Sequence, residues 1–224
     1  MNDLKILFED KHITVCVKPP ELLSQQDTKG SPDMLSVLEE KIGIPHKPVH
    51  RLDRGVGGVM VYAKNEIAAA KLSQDIQNGN FKKEYLAVIC GKPIEDKGVY
   101  KDLLFKDSAK NKSYVVDRKR KGVKEASLEY TLVGSKKSEE GTLSCVRILL
   151  HTGRTHQIRV QFASRKTAVY GDGKYGSKNA EKTIALWSHT LSFPHPKTKE
   201  PLHFVSYPEN VFPWEFFNEN LFSK

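Results

Sequence analysis

His50-Arg51-Leu52-Asp53-Arg54, followed at once by Gly55, Val56, Gly57 and Gly58, sets one carboxylate between two guanidinium groups at the head of a glycine-rich turn. Nearby positive charge lowers a carboxyl pKa, so Asp53 would stay ionised at neutral pH as a nucleophile or an electrostatic stabiliser. The glycines allow turns that a Cβ forbids and let a bulky substrate approach the main chain. A surface loop in which Asp53 merely pairs with a neighbouring arginine would read the same way, and the pentapeptide alone leaves both open.

Two later segments add reactive side chains. In Phe81-Lys82-Lys83-Glu84-Tyr85-Leu86-Ala87-Val88-Ile89-Cys90-Gly91, a tyrosine opens a β-rich run after a basic pair. In Leu149 through Ala163, a strand-like run turns through Gly153 into a helix that Thr155 is expected to cap and from which Arg159 would point. A third basic cluster, Asp117-Arg118-Lys119-Arg120-Lys121-Gly122-Val123-Lys124, reads as a hairpin between strands whose charge density suits a phosphate backbone.

The elements that must hold these residues are legible in outline. Ile13–Val17 is β-branched and stops at Pro19-Pro20, as a strand does. Ser31-Pro32 should start a helix through Met34, Leu35, Val37, Leu38 and Ile42, with Gly43 ending it. Val59–Tyr62 should continue the Asp53 loop as a strand, and Asn65 should cap a second helix that stops at Asn78-Gly79. Beyond Tyr85 the chain turns mainly β, with strands over Ser127–Val133 and Thr142–Leu150. No repeat or linker stands out, so residues 1–224 are expected to form a single domain.

Composition narrows the class. A net charge of +9 over 224 residues implies a polyanionic partner, with Lys82, Lys83, Arg118, Lys119, Arg120 and Lys121 as candidates to meet it. Cys16, Cys90 and Cys145 are odd in number and embedded in apolar runs, which suggests reduced core residues and a cytoplasmic setting. No apolar run approaches the roughly 18 residues needed to span a bilayer, and the N-terminus lacks a signal peptide's apolar region, so no membrane partner is expected. Gly171-Asp172-Gly173-Lys174-Tyr175-Gly176 matches G-x-G-x-x-G, but Ser177–Lys182 carries no apolar helical face for a dinucleotide fold, and a glycine-rich turn near the active site is the better reading. His151, His156, His189, His195 and His203 have no metal-ligand spacing, and packing or hydrogen bonding explains them better. Phe193, Phe204, Trp214, Phe216 and Phe217 are read as core and C-terminal docking rather than as base-stacking residues.

The three segments in this order, with Ile6–Asp10 and Val15–Pro19 before them and Leu191–Pro196 after, resemble the RluA-type pseudouridine synthases over almost the whole chain. The family pattern is HRLD with a Thr-Ser-Gly turn, then K-x-Y-x-A-x-V-x-G, then G-R-T-H-Q-I-R. Here Val56-Gly57-Gly58 replaces Thr-Ser-Gly, and two hydroxyls are missing. The resemblance implies an α+β fold, a mixed and mostly antiparallel central sheet flanked by helices, with an RNA-binding catalytic cleft across its middle. It places the family-like opening strand within the first ten residues, so no separate N-terminal RNA-binding domain is expected.

The reaction it implies converts uridine within ribosomal or transfer RNA to pseudouridine. Because atoms in and out are the same, the reaction calls for no cofactor and no metal. Asp53 would be the key catalytic residue and Arg159 its partner. Tyr85 would pack on the uracil and take or relay the C5 proton, although a phenol of ordinary pKa needs help to act as a base. Arg51 would enter the helix in place of the flipped base, and His50, Arg54, Arg154, His156 and Gln157 would line the substrate site. A monomer is expected. Two other readings remain at this point: an N-glycosidase, for which a second carboxylate to activate water is usual, and an RNA-binding or assembly protein on the same scaffold.

Overall fold

The structure, a computed structural model, describes residues 4–177 and 183–222, without the side chains of residues 220 and 222. Contacts group the chain into two compact units, one built from the chain through Lys83 with Trp187–Pro208, the other from Glu84–Leu186 with the segment from Glu209.

In the first unit, β1 (Ile6–Glu9) and β2 (Ile13–Lys18) form the expected opening pair. They are followed by α1 (Met34–Ile42), β3 (Lys47–Pro48), β4 (Gly57–Ala63) and α2 (Glu66–Gln77). β4 is buried along its whole length because it is central: β2 and β3 pair with it antiparallel, and the later β10 (Leu186–Pro194) pairs with it in parallel. β11 (Pro201–Val205) completes this part of the sheet, antiparallel to β10. The core joins Ile13, Val15, Val59 and Val61 to Leu72 of α2, Phe81 and Phe193. Phe81 and Phe193 stack at 5.0 Å, one of several contacts that put the late aromatics in the core.

Helix caps agree with the sequence in one case and shift in another. Asn65 caps α2, its Oδ1 accepting the Ala68 N–H at 2.9 Å, and Asn78 ends the helix as expected. At α1 the cap is Asp33 rather than Ser31, because its carboxylate reaches both the Leu35 and Ser36 N–H groups. Pro32 therefore lies outside the helix, while Gly43 ends it in a left-handed conformation (φ 82°) as expected.

The second unit begins within β5 (Lys82–Cys90) and continues through β6 (Lys97–Asp107), β7 (Lys112–Val116), β8 (Val123–Ser138) and β9 (Gly141–Leu150) to α3 (Gln157–Ala163), and α4 (Asn218–Phe222) closes it. Its strands are antiparallel in the order β5-β9-β8-β6-β7. β8 and β9 are longer than the sequence outlined. The basic segment after Val116 is no hairpin: β7 and β8 both pair with β6, Leu103 opposite Val116 on one side and Glu125 on the other, so residues 117–122 cross over β6. The α+β class, with mixed and mostly antiparallel strands and helices packed on them, is as expected. Among the described residues, no helix is long and apolar enough to cross a membrane.

Candidate active site

The Asp53 loop is tied down from beneath. Lys18, at the end of β2, is fully buried, and its Nζ donates to the carbonyls of Pro19 (2.9 Å), Leu22 (2.5 Å) and Arg54 (3.1 Å). Burial pulls its pKa down to about 8, with Glu21 and Asp53 pulling the other way, so the ammonium persists at neutral pH. Ser24 clamps the next residue back: its Oγ donates to the Leu52 carbonyl and accepts the Leu52 N–H, both at 2.9 Å. Tyr62 of β4 donates in turn to the Ser24 carbonyl at 2.9 Å. With the backbone of residues 52 and 54 held, and the Val56 N–H closing a turn on the Asp53 carbonyl at 3.0 Å, Asp53 sits half-buried on a fixed loop.

The side chains around Asp53 divide by exposure. Arg51 and Arg54 face solvent, Arg54 alongside Glu21 at 3.6 Å. His50 turns inward: its Nε2 accepts the Val61 N–H at 3.2 Å, which leaves the ring proton on an enclosed Nδ1 that has no partner. Burial, then the Lys83 charge, push its pKa down to about 3. Lys82 is exposed, whereas Lys83 is half-buried with its ammonium 5.9 Å from the Phe81 ring centre and its pKa lowered by burial.

Gly57, where the family pattern has serine, has no room for a side chain, and Gly58 keeps the pattern's glycine. A Cβ on Gly57 would collide with the ring of Trp187, and one on Gly58 (φ 121°) with the backbone of Ser188, where β10 runs beside β4. A neighbouring tryptophan therefore fills the space a side chain at 57 would take.

In the second unit, Tyr85 is 6% exposed on β5 opposite Ile148, and Arg159 is 6% exposed on α3. The guanidinium of Arg159 forms a two-pronged bond to Asp172, Nε to Oδ2 at 2.6 Å and Nη2 to Oδ1 at 2.8 Å. Its Cζ lies 5.2 Å from the Tyr175 ring centre. The Tyr175 hydroxyl accepts the Ser113 N–H at 2.7 Å and shares a hydrogen bond with His156 Nδ1 at 2.9 Å. The turn into α3 is not capped by Thr155. His156 takes the cap position in the left-handed region (φ 54°) with no side-chain cap bond. The buried Gln157 ties down the turn before the helix: its Oε1 accepts from Thr152 Oγ1 (2.7 Å) and the Arg154 N–H (3.0 Å), and its Nε2 donates to the Ser127 carbonyl (3.1 Å). Arg154 extends to the Glu125 carbonyl at 2.9 Å.

Lys18, Ser24, Asp172 and Tyr175 were not among the residues expected from sequence. Asp172 and Tyr175 stand in the glycine-rich run that matched G-x-G-x-x-G; residues 178–182 after it lie outside the described residues. The histidines are hydrogen-bonded, His195 to Asp10 and His189 to the Ser206 carbonyl among them. Among the described residues, no cluster of three His, Cys, Asp or Glu could hold a metal.

Comparison with known proteins identifies the family. Residues 12–164 match the family model described as RNA pseudouridylate synthase. Over 234 residues the chain is 33% identical to an "Uncharacterized RNA pseudouridine synthase" of Aquifex aeolicus, covering 94% of this chain and 72% of that protein. Over 174 residues it is 32% identical to "Ribosomal large subunit pseudouridine synthase C" of Rickettsia bellii, covering 77% of this chain and 56% of that protein. The structure of "Human RNA Pseudouridylate Synthase Domain Containing 1" shares the fold, with a TM-score of 0.79 at 19% identity over 94% of this chain and 85% of the other. That of "Human RNA Pseudouridylate Synthase Domain Containing 4" gives 0.75 at 21% identity, over 97% and 91%. The chain belongs to the RNA pseudouridylate synthase family, and it is an RNA pseudouridine synthase of the RluA type.

Proposed function

We propose that this enzyme isomerises particular uridines in structured RNA, ribosomal or transfer, with Asp53 as the key catalytic group. The observation that carries the proposal is the fixed loop: a buried ammonium and a serine clamp hold residues 52 and 54, which suits a reactive carboxylate and not a solvated surface turn. Ribosomal RNA is favoured by the Rickettsia relative, whose name places its action on the ribosomal large subunit.

In the reaction the C1′–N1 bond breaks, uracil rotates while held, and C1′ bonds to C5, whose hydrogen leaves as a proton while N1 takes one up. Asp53 attacks C1′ or the uracil, or stabilises the charge that develops as the glycosidic bond breaks. Arg159, held in orientation by Asp172, is the proposed partner of Asp53, and Tyr85 packs on the uracil and relays the C5 proton. The target is flipped from its stack at a cost of a few kcal/mol, and the exposed Arg51 takes its place. Arg54, Arg154, His156, His50 and Gln157 shape the substrate site, the last two from beneath, while Lys82, Lys83 and the segment Arg118 to Lys121 meet phosphates.

The test is release of tritium from RNA labelled at uracil C5, made in cells lacking this protein. Wild-type enzyme with no added cofactor should release label in step with pseudouridine formation, and Asp53→Asn should not. Free uracil in place of pseudouridine would indicate a glycosidase.

A further inference from the structure

We propose that the face of β6 and β7 turned away from α3 is a stacking platform for single-stranded nucleotides of the RNA outside the target uridine. The proposal rests on the enzyme's RNA reading. Leu104, Ala126 and Val115 face the side on which Val160 and Ala163 of α3 pack. By strand alternation, Phe105 and Tyr114, directly opposite each other across β6 and β7, lie on the other side. There Tyr114 is 36% exposed on the outermost strand, and the Lys112 ammonium stands between rings, 5.8 Å from the centre of Tyr114 and 5.2 Å from that of Tyr175. Arg120, from the crossover, places its guanidinium carbon 4.9 Å over the Phe105 ring.

Charge selects the partner. Residues 97–124 contain ten Lys and Arg against three Asp, so this stretch holds seven of the nine net positive charges of the chain. An exposed aromatic on a strand, an arginine stacked on a second ring and a dense cationic surround are what bases and phosphates together require. Guanidinium planes also stack on unpaired bases, so Arg120, with one side on Phe105, offers the other to a nucleotide. Neither Tyr114 nor Arg120 belongs to the three catalytic motifs.

The test uses a fluorescent 20-nucleotide oligoribonucleotide of adenosine and cytidine only, which offers no uridine to the catalytic site. Tyr114→Ala should weaken its binding about tenfold, within the range for loss of one base–aromatic stack, with the salt slope unchanged. Tyr114→Phe should bind like wild type, and inorganic polyphosphate should bind Tyr114→Ala and wild type alike. Ultraviolet cross-linking of the wild-type protein, which needs no variant to fold, should attach the oligonucleotide to a peptide containing Tyr114. Binding of Tyr114→Ala within twofold of wild type, an equal loss of polyphosphate, or cross-links confined to other peptides would overturn the platform. Asp53→Asn should bind the oligonucleotide normally; turnover by that variant would refute the catalytic reading and leave the oligonucleotide results standing.

Discussion

Lys18 and His50 offer ways to perturb the surroundings of the Asp53 loop without touching Asp53. Lys18→Met would leave the carbonyls of Pro19, Leu22 and Arg54 without their shared donor. Since an unsatisfied buried acceptor costs about 1–3 kcal/mol, we expect a loss of ~2–4 kcal/mol in urea unfolding together with reduced turnover. Asp53→Asn should abolish turnover with little change in unfolding, because it removes a charge at constant volume. His50 has a folded pKa of about 3 against an ordinary value of 6.5, so the unfolded chain binds the extra proton between those limits. Its contribution to stability is complete above about pH 6.5 and is lost as pH falls toward 3, where protonating Nε2 breaks the bond from Val61. The fall in urea midpoint over that window should be smaller in His50→Gln. Asp53, Tyr85 and Arg159, the proposed catalytic residues, were singled out in sequence because they stand in three motifs that occur in family order. Lys18 was not, because a lysine before two prolines looks solvent-facing until the fold buries it. The turn that carries Asp172 was expected near the active site, but its pairing with Arg159 was not legible, because the two meet across 13 residues with no helical or strand periodicity between them.

At the scale of elements, local chemistry predicted what local chemistry controls. Asn65 and Gly43 cap helices because a side-chain oxygen and a left-handed glycine act within one turn. The start of α3 departs from that rule: His156 takes the cap position with no side-chain cap bond, and Gln157 ties down the preceding turn through Thr152 and Arg154. The crossover of residues 117–122 was read as a hairpin because sequence shows that two strands flank a turn, not which strands pair. Gly57 is the sharpest case: its lack of a side chain is dictated by Trp187, 130 residues later. Gly57→Ser should therefore destabilise the protein by about 1–3 kcal/mol through overpacking. Combined with Trp187→Leu, the loss should be less than the sum of the two single losses. Additive thermal-melt losses would show that the glycine is kept for another reason.

For the molecule as a whole, family and reaction were readable because three motifs occur in order, and the basic balance pointed to the same polyanion. The grouping into two units was not readable, since it divides within β5, where no change of composition marks it. Charge placement refines the expected RNA contacts. Lys119 pairs with Glu125 at 2.5 Å, whereas Lys121 stands exposed on the crossover. Lys121→Ala should flatten the slope of log affinity against log salt by about 0.7 to 0.9, and Lys119→Ala by less. The most direct test of the central claim is a map of pseudouridines in the RNA of cells lacking this protein, complemented with wild type or with Asp53→Asn. The account predicts that particular uridines stay unmodified without the protein, regain pseudouridine with wild type, and do not with Asp53→Asn. Restoration by Asp53→Asn, or an unchanged map in the deletion, would contradict it.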